Sequence, residues 1–338
     1  MSSDVAPEVV AFGEPLVAFY PAGEGEEQGS ELDSPADASL PARYRPTWGG
    51  DASNFSLATV KLGRSCALLT RVGSDLFGRG FREVWERNGV DTRLVQTDAA
   101  HRTGIYFAVF SGGRHELAYY RADSAATHVD GAEIDWTLVD GARVVHSSGI
   151  AQAISPATAQ LSFRLFEAAK ARGALVSYDV NYRPTLWAPE QAREIALRTI
   201  ERYVDILEIT DEEMGMLGLG ERPEELLEHL PRVPDYCVIK RGLKGSCLFT
   251  RGERHSFGAF PVAVRDTVGA GDAYDAALVA AILEGRGAPD AVRFASAAGA
   301  LTCTGVGPLE RQPRRSDIDR FLHENPDPLL QGGNHEGT

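Results

Sequence analysis

Short apolar runs alternate with amphipathic stretches through most of the 338-residue chain. That alternation narrows the fold more than any other feature, because it predicts parallel strands joined by helices. Val9-Val-Ala-Phe12 reads as a first strand, 52–62 as a helix closed by Gly63, 67–72 as a strand and 78–88 as a helix stopped by Gly89. The pattern continues with a strand at 144–146, a helix at 156–172, and strands at 175–178, 206–209 and 237–240. Helices at 270–283 and 288–302 complete it. Two stretches break the alternation. Residues 16–48 show no helical period, and 103–121 reads as two strands, 104–110 and 115–120, joined by Ser111-Gly-Gly-Arg114, a hairpin signal. Helix-free β segments inserted in an α/β chain form a separate small sheet, which beside a site acts as a lid.

With 43% hydrophobic residues the chain can bury a large core. The expected organisation is one domain over 8–325, with lid segments at about 15–48 and 103–121, and a disordered Pro-, Gly- and polar-rich tail at 326–338. No run approaches the ~18 apolar residues of a membrane span, and the acidic N-terminus is no secretory signal. The four cysteines are widely spaced, with no C-x-x-C pair, and read as buried thiols of a cytoplasmic protein rather than a zinc or disulfide framework. A net charge of -14 argues against nucleic acid as partner. Only four lysines occur, Lys61, Lys170, Lys240 and Lys244. An acidic, lysine-poor surface fits either a salt-rich habitat or a GC-rich genome.

The strongest chemical signal is Asp266-Thr-Val-Gly-Ala-Gly-Asp272, which opens a helix of small residues. A Gly-Ala-Gly helix start leaves backbone N–H groups free for a phosphoryl group, and the helix dipole favours its charge. A carboxylate in the first turn, Asp272, can take the proton of an attacking hydroxyl while the amides of Gly269, Ala270 and Gly271 hold the transferring charge. Far upstream, Gly49-Gly-Asp-Ala-Ser-Asn54 offers close backbone approach at Gly50 and an amide at Asn54 that can donate and accept hydrogen bonds to hydroxyls. Lys240-Arg-Gly-Leu-Lys-Gly-Ser246 follows a strand and reads as the nucleotide side, Lys240 included, with permissive glycines (Gly242, Gly245) and the cations Lys244 and Arg241 to offset phosphate charge. The P-loop and dinucleotide fingerprints are absent.

In these two motifs, about 210 residues apart, the chain resembles the ribokinase-like (PfkB) carbohydrate kinases. Leu57 to Gly63 and Thr70-Arg-Val-Gly-Ser-Asp-Leu-Phe-Gly78 add to the likeness, which runs from about residue 9 to 322. It implies a three-layer α/β fold with a mostly parallel central sheet and a small β-sheet lid, ATP with Mg2+ as cofactors, and assembly into a homo-oligomer. It also places Asn181 and Ser296 on the nucleotide side and leaves open a monovalent cation such as K+ near the Asp266 loop.

Phe12-Gly-Glu-Pro-Leu16, Ala118-Tyr-Tyr-Arg121, Val145 to Ile150 and Ser177 to Trp187 look like the 2-keto-3-deoxygluconate kinases. That subgroup implies a sugar-acid substrate, gripped at its carboxylate end by Arg121 and Arg183 through paired hydrogen bonds. Tyr106 and Tyr119 would close over the carbon chain, and Trp187 reads as packing. One departure stands out: Pro308 occupies the place of a further acid, with Glu310 as a nearby substitute. Fructokinase and related sugar kinases therefore stay open as alternatives, as does a non-catalytic sugar- or nucleotide-sensing protein on the same fold.

Overall fold

The computed structural model describes residues 5–22, 43–111 and 114–326. The chain opens with β1 (Val9–Phe12), β2 (Leu16–Pro21) and β3 (Tyr44–Gly49), followed after a first helix by β4 (Cys66–Gly73) and β5 (Val95–Asp98). Next come the hairpin strands β6 (Ile105–Ser111) and β7 (Arg114–Tyr120), then β8 (Val144–Ser148), β9 (Leu175–Asp179), β10 (Ile206–Thr210) and β11 (Tyr236–Lys240). Two further strands, β12 (Ser246–Thr250) and β13 (Glu253–Phe257), precede the last helices.

Nine strands form one sheet in the order β13-β12-β11-β10-β9-β8-β1-β4-β5. From β11 to β5 every pairing is parallel, while β12 and β13 add an antiparallel edge. The period-2 rule decides the layers. Val9 and Ala11 face the helices Asp51–Lys61, Ala270–Leu283 and Ala288–Thr302, whereas Val10 and Phe12 face the helices Pro156–Ala171 and Pro189–Arg202. Each fully buried Val or Phe contributes about 1.5–3 kcal/mol. The helix Ala270–Leu283 is buried almost all round. Its alanines let it lie close against both Asp51–Lys61 and Ala288–Thr302.

The remaining four strands form a second sheet, β3-β2-β6-β7, with β2 and β6 parallel and the outer pairs antiparallel. Both stretches that broke the α/β alternation thus join one sheet. Positions 1–4, 23–42, Gly112 and Gly113 of the expected hairpin signal, and the tail from 327 lie outside the described residues. Elements absent from the sequence reading include the edge strand β5, the helices Pro189–Arg202 and Arg315–Glu324, several short helices, and the β12–β13 hairpin. That hairpin turns through Arg251 and Gly252, both at positive φ (49° and 80°), the geometry of a tight two-residue turn. Among the described residues no helix is long and apolar enough to cross a membrane. Cys66, Cys237 and Cys247 are buried free thiols, and Cys303 is half-buried.

Candidate active site

One cleft of about 1090 Å³ runs along the C-terminal ends of β1, β8, β9, β10 and β11, under the small sheet. Strand order reverses between β1 and β8, and a crevice at such a switch point is where open α/β sheets take ligands. Gly50, Asn54, Tyr106, Tyr119, Arg121, Asn181, Arg183, Lys240, Arg241, Gly242, Lys244, Gly245, Gly269, Ala270, Gly271, Asp272 and Ser296 all line it. The structure therefore brings these seventeen residues into one space, though several hold partners that the sequence did not disclose.

Gly269 caps the helix Ala270–Leu283 at φ 80°, where a Cβ would stand 2.6 Å from the Cβ of Pro308. The Ala270 N–H bonds to the Thr267 carbonyl at 3.2 Å, so it closes the turn. Among the described bonds the N–H groups of Gly269, Gly271 and Asp272 have no intramolecular acceptor. The amides left free to meet an anion are these three, and Ala270, one of the expected set of 269, 270 and 271, is engaged within the turn. Asp272 accepts a 2.8 Å hydrogen bond from the Asn54 side chain, which joins the two sequence motifs directly. Burial, with the nearby charge of Asp51 in support, pushes the Asp272 carboxyl up to about 7, against the lowering effect of Asn54 and Lys240. Such a carboxylate is matched to proton transfer near neutral pH. Gly50 has φ 95° and a Cβ there would lie 2.1 Å from the Glu14 carbonyl, so the motif's second glycine is compelled by β1's own continuation.

Beneath the small sheet, Arg121 is buried and paired with Glu14. It also stacks over Tyr119, 5.1 Å from the ring centroid. Burial raises Glu14 to about 7, an effect that Arg121 only partly offsets. The expected carboxylate grip by Arg121 is therefore already engaged in part by an internal acid. Arg183 differs: its recorded bond is to the neighbouring Tyr182 carbonyl, at 3.1 Å, and its guanidinium lines the cleft. Tyr106 and Tyr119 are cross-strand partners with ring centroids 5.5 Å apart, and both line the cleft, while Tyr120 is exposed on the opposite face. Trp187 is buried in the core.

At the end of β11, Lys240 already holds acidic partners. Its ammonium is buried, 3.0 Å from both Asp179 Oδ2 and Asp275 Oδ1, and it does not project freely toward phosphates. Glu208 lies beneath it in β10 with neither carboxylate oxygen hydrogen-bonded, and burial drives both Glu208 and Asp275 well above the ordinary carboxylate range. Burial also opposes Asp179 ionisation, but the Lys240 charge and a hydrogen bond from Asp275 bring its carboxyl below the usual value. This lysine neutralises an internal acid cluster beside Gly271, whose Cβ would sit 3.5 Å from its Nζ. Burial drives His146, stacked on Phe55, down to about 3.

Gly245 has φ 83°, and a Cβ there would lie 1.9 Å from the Phe257 carbonyl. The returning strand β13 is by itself enough to demand this glycine. Lys244 is exposed and 3.2 Å from Asp211. Asn181 adopts φ 41° and is buried. Ser296 lines the cleft, as do the apolar residues Ala259, Phe260, Val262, Val264 and Ala300. Both Asp266 oxygens accept backbone N–H bonds, from Val268 (3.0 Å) and Gly307 (2.8 Å), and so brace the loop before the helix. Pro308 packs against Gly269 and Gly49, and Glu310 turns outward to bond the Val306 N–H, so it does not replace the missing acid.

With this geometry in view, the comparisons converge. The pfkB family carbohydrate kinase model matches residues 7–315. The chain belongs to the pfkB family of carbohydrate kinases. Among curated relatives, the 2-dehydro-3-deoxygluconokinase of Thermoproteus tenax is 33% identical over 93% of this chain and 94% of its own. Fructokinase-1 of Oryza sativa subsp. japonica is 30% identical over 93% and 97%. An E. coli protein classed as a ribokinase II, solved with ATP and Mg2+, superposes with a TM-score of 0.83 at 24% identity, covering 94% of this chain and 99% of that one. This pfkB kinase thus has the ribokinase-like fold and is a sugar kinase of an ATP-dependent family.

Glu14, Asp51, Asp179, Glu208, Glu213 and Asp275 were not singled out from sequence. Asp51 stands between the two halves of the Gly49–Asn54 motif and bonds Ser148 and the Glu14 N–H, and Glu14 follows β1 directly. Glu208 leaves one signal, a lone acid inside the apolar strand Ile-Leu-Glu-Ile.

Proposed function

We propose that this kinase transfers the γ-phosphoryl group of ATP to the terminal hydroxyl of 2-keto-3-deoxygluconate, giving the 6-phosphate. The observation that carries the reaction is the Asp272–Asn54 pair at a helix N-terminus with three free amides. Asp272 accepts the hydroxyl proton, the alcohol oxygen bonds to the γ-phosphorus, and the bond to the β-phosphate oxygen breaks as ADP leaves. The amides of Gly269, Gly271 and Asp272 hold the charge that grows on the transferring group. The cleft-lining acids Asp211 and Glu212 would hold Mg2+ through its water shell, and the ion would supply neutralisation of phosphate charge. Lys244 and Arg241 at the rim offset remaining phosphate charge, and Ser296 and its apolar neighbours take the adenine. The small sheet closes as a lid, placing Tyr106 and Tyr119 over the carbon chain and excluding water. The setting is cytoplasmic, and the active form is a homo-oligomer.

The sugar acid rests on Arg183, whose guanidinium has no carboxylate partner among the described ion pairs. A carboxylate offered there gains a charge-assisted bond, and a neutral sugar leaves it unpaired. The second reading, fructokinase, draws on the Arg121–Glu14 pair, since a cation already matched to an internal acid suits hydroxyl recognition equally.

Purified protein with ATP, Mg2+ and a panel of sugars and sugar acids decides between them. The proposal expects a higher kcat/KM for the keto-deoxy acid than for fructose. Better turnover of fructose overturns the substrate, and binding without any turnover overturns the reaction.

A further inference from the structure

The segments that lead into and out of the β6–β7 hairpin meet outside the cleft. His101 lies in the turn between β5 and β6, while Asp123 and His128 follow β7, with His128 ending a short turn at Ala125–His128. The two imidazoles stack face to face, with centroids 3.6 Å apart and planes 14° from parallel. His128 Nε2 is 2.7 Å from Asp123 Oδ1, and His101 Nε2 is 3.9 Å from the same oxygen. The three potential ligand atoms all lie within 4.8 Å of one another. None of these residues belongs to the cleft lining.

The surroundings prepare His101 for more than a hydrogen bond. Its Nδ1 lies 3.0 Å from Asp98 Oδ2, and Asp98 is itself braced by Arg71 Nε at 2.9 Å and by the N–H groups of Ala100 and His101. A carboxylate on Nδ1 keeps the proton there and leaves the Nε2 lone pair aimed toward Asp123, the outer arrangement that metal-bound imidazoles use. Asp123 reaches back at φ 56°, a conformation that short polar side chains tolerate. Two imidazole nitrogens and one carboxylate oxygen form a set that suits zinc and its neighbours, whereas Mg2+ and Ca2+ prefer oxygen alone. Side-chain exposures of 29%, 39% and 77% for His101, His128 and Asp123 leave an entry path and room for a water as fourth ligand.

We propose that His101, Asp123 and His128 form a binding site for a divalent transition-metal ion of the zinc class, which bridges the entry and exit segments of the β6–β7 hairpin. The bridge is the distinctive part: one imidazole precedes the hairpin and the other follows it, so an ion held by both ties the two roots of the small sheet together.

The test uses tag-free, chelator-stripped full-length protein without nucleotide, titrated with Zn2+ against a chromophoric chelator and with Co2+ as a visible probe. One ion per chain is expected, with Co2+ d–d bands and no competition from excess Mg2+. His101→Ala and His128→Ala should each lose roughly tenfold or more in affinity, and Asp98→Asn should lose roughly 10–100-fold through its effect on His101. Unchanged metal-free melting of the two exposed histidine variants shows that the loss is not unfolding. Absence of stoichiometric Zn2+ binding overturns the site. Retention of wild-type affinity by either histidine variant overturns the bridge.

Discussion

The two ends of the cleft are built by different means. At the phosphoryl end the parts come from backbone: a left-handed Gly269, free amides of a helix first turn, and a carboxylate fixed by Asn54. At the sugar end they are long side chains, Arg121, Glu14, Arg183, Tyr106 and Tyr119, contributed partly by the small sheet. Backbone geometry leaves few alternatives to a chain that must bind a phosphoryl group. Side chains can be repartnered, and Arg121 already is, by an acid of its own protein. The reaction is accordingly a property of the fold's central layer, and the substrate a property of what hangs above it.

The largest test of that division is Asp272→Asn, which keeps the Asn54 contact geometry but removes the base. A fall in kcat of roughly 10²–10⁴-fold is expected, with ATP binding little changed. A loss under tenfold in steady-state assays would place the proton acceptor elsewhere. Next comes Arg183→Ala. A lost charge-assisted bond costs about 1.5–3 kcal/mol, so kcat/KM for a sugar acid should drop roughly 10–100-fold while the KM for ATP holds. Equal losses for acid and neutral sugars would break the contrast between the two ends.

Legibility in the sequence follows the same line. The parallel sheet, its helices and the cleft's glycines were readable because each follows from a local rule of period or permitted φ. Asp272 and Asn54 were readable because their motifs are short and contiguous, although only the fold places them 2.8 Å apart. The β12–β13 hairpin escaped because Arg251 stands where Asn or Asp usually signals such a turn. The partners of Lys240 were illegible for a deeper reason. A lysine after an apolar strand looks like a surface cation, and only three-dimensional packing reveals that Asp179, Asp275 and Glu208 converge on it from three separate elements. Gly245 was credited to a ligand when its neighbour is the Phe257 carbonyl. Partners distant in sequence are what local rules cannot supply.

A finer test addresses the electrostatics that couple the two motifs. With Asp272 raised to about 7, the active form is the deprotonated one, so kcat/KM should climb with pH through about 7 and level off above it. Glu14, also raised to about 7, titrates in the same window, and Asp272 must be separated from it. Asn54→Ala does this. It removes a bond that favours the ionised carboxylate, which moves the Asp272 limb to higher pH by about 1–2 units and leaves Glu14 in place. An acid shift, or none, in the pH profile would show that the limb belongs to another group.

The smallest expected effect concerns the rim. Lys244 is 70% exposed and pairs with Asp211 in solvent, so Lys244→Ala should leave the melting temperature nearly unchanged. Its attraction to phosphate is worth on the order of 1 kcal/mol at such a screened site, which is about a fivefold rise in the KM for ATP. That rise should shrink in high salt, because the charges are separated by water rather than buried. A salt-insensitive loss would mean that the lysine is desolvated when nucleotide binds, and that the mouth closes more tightly than the open geometry at Leu243, 89% exposed beside it, now indicates.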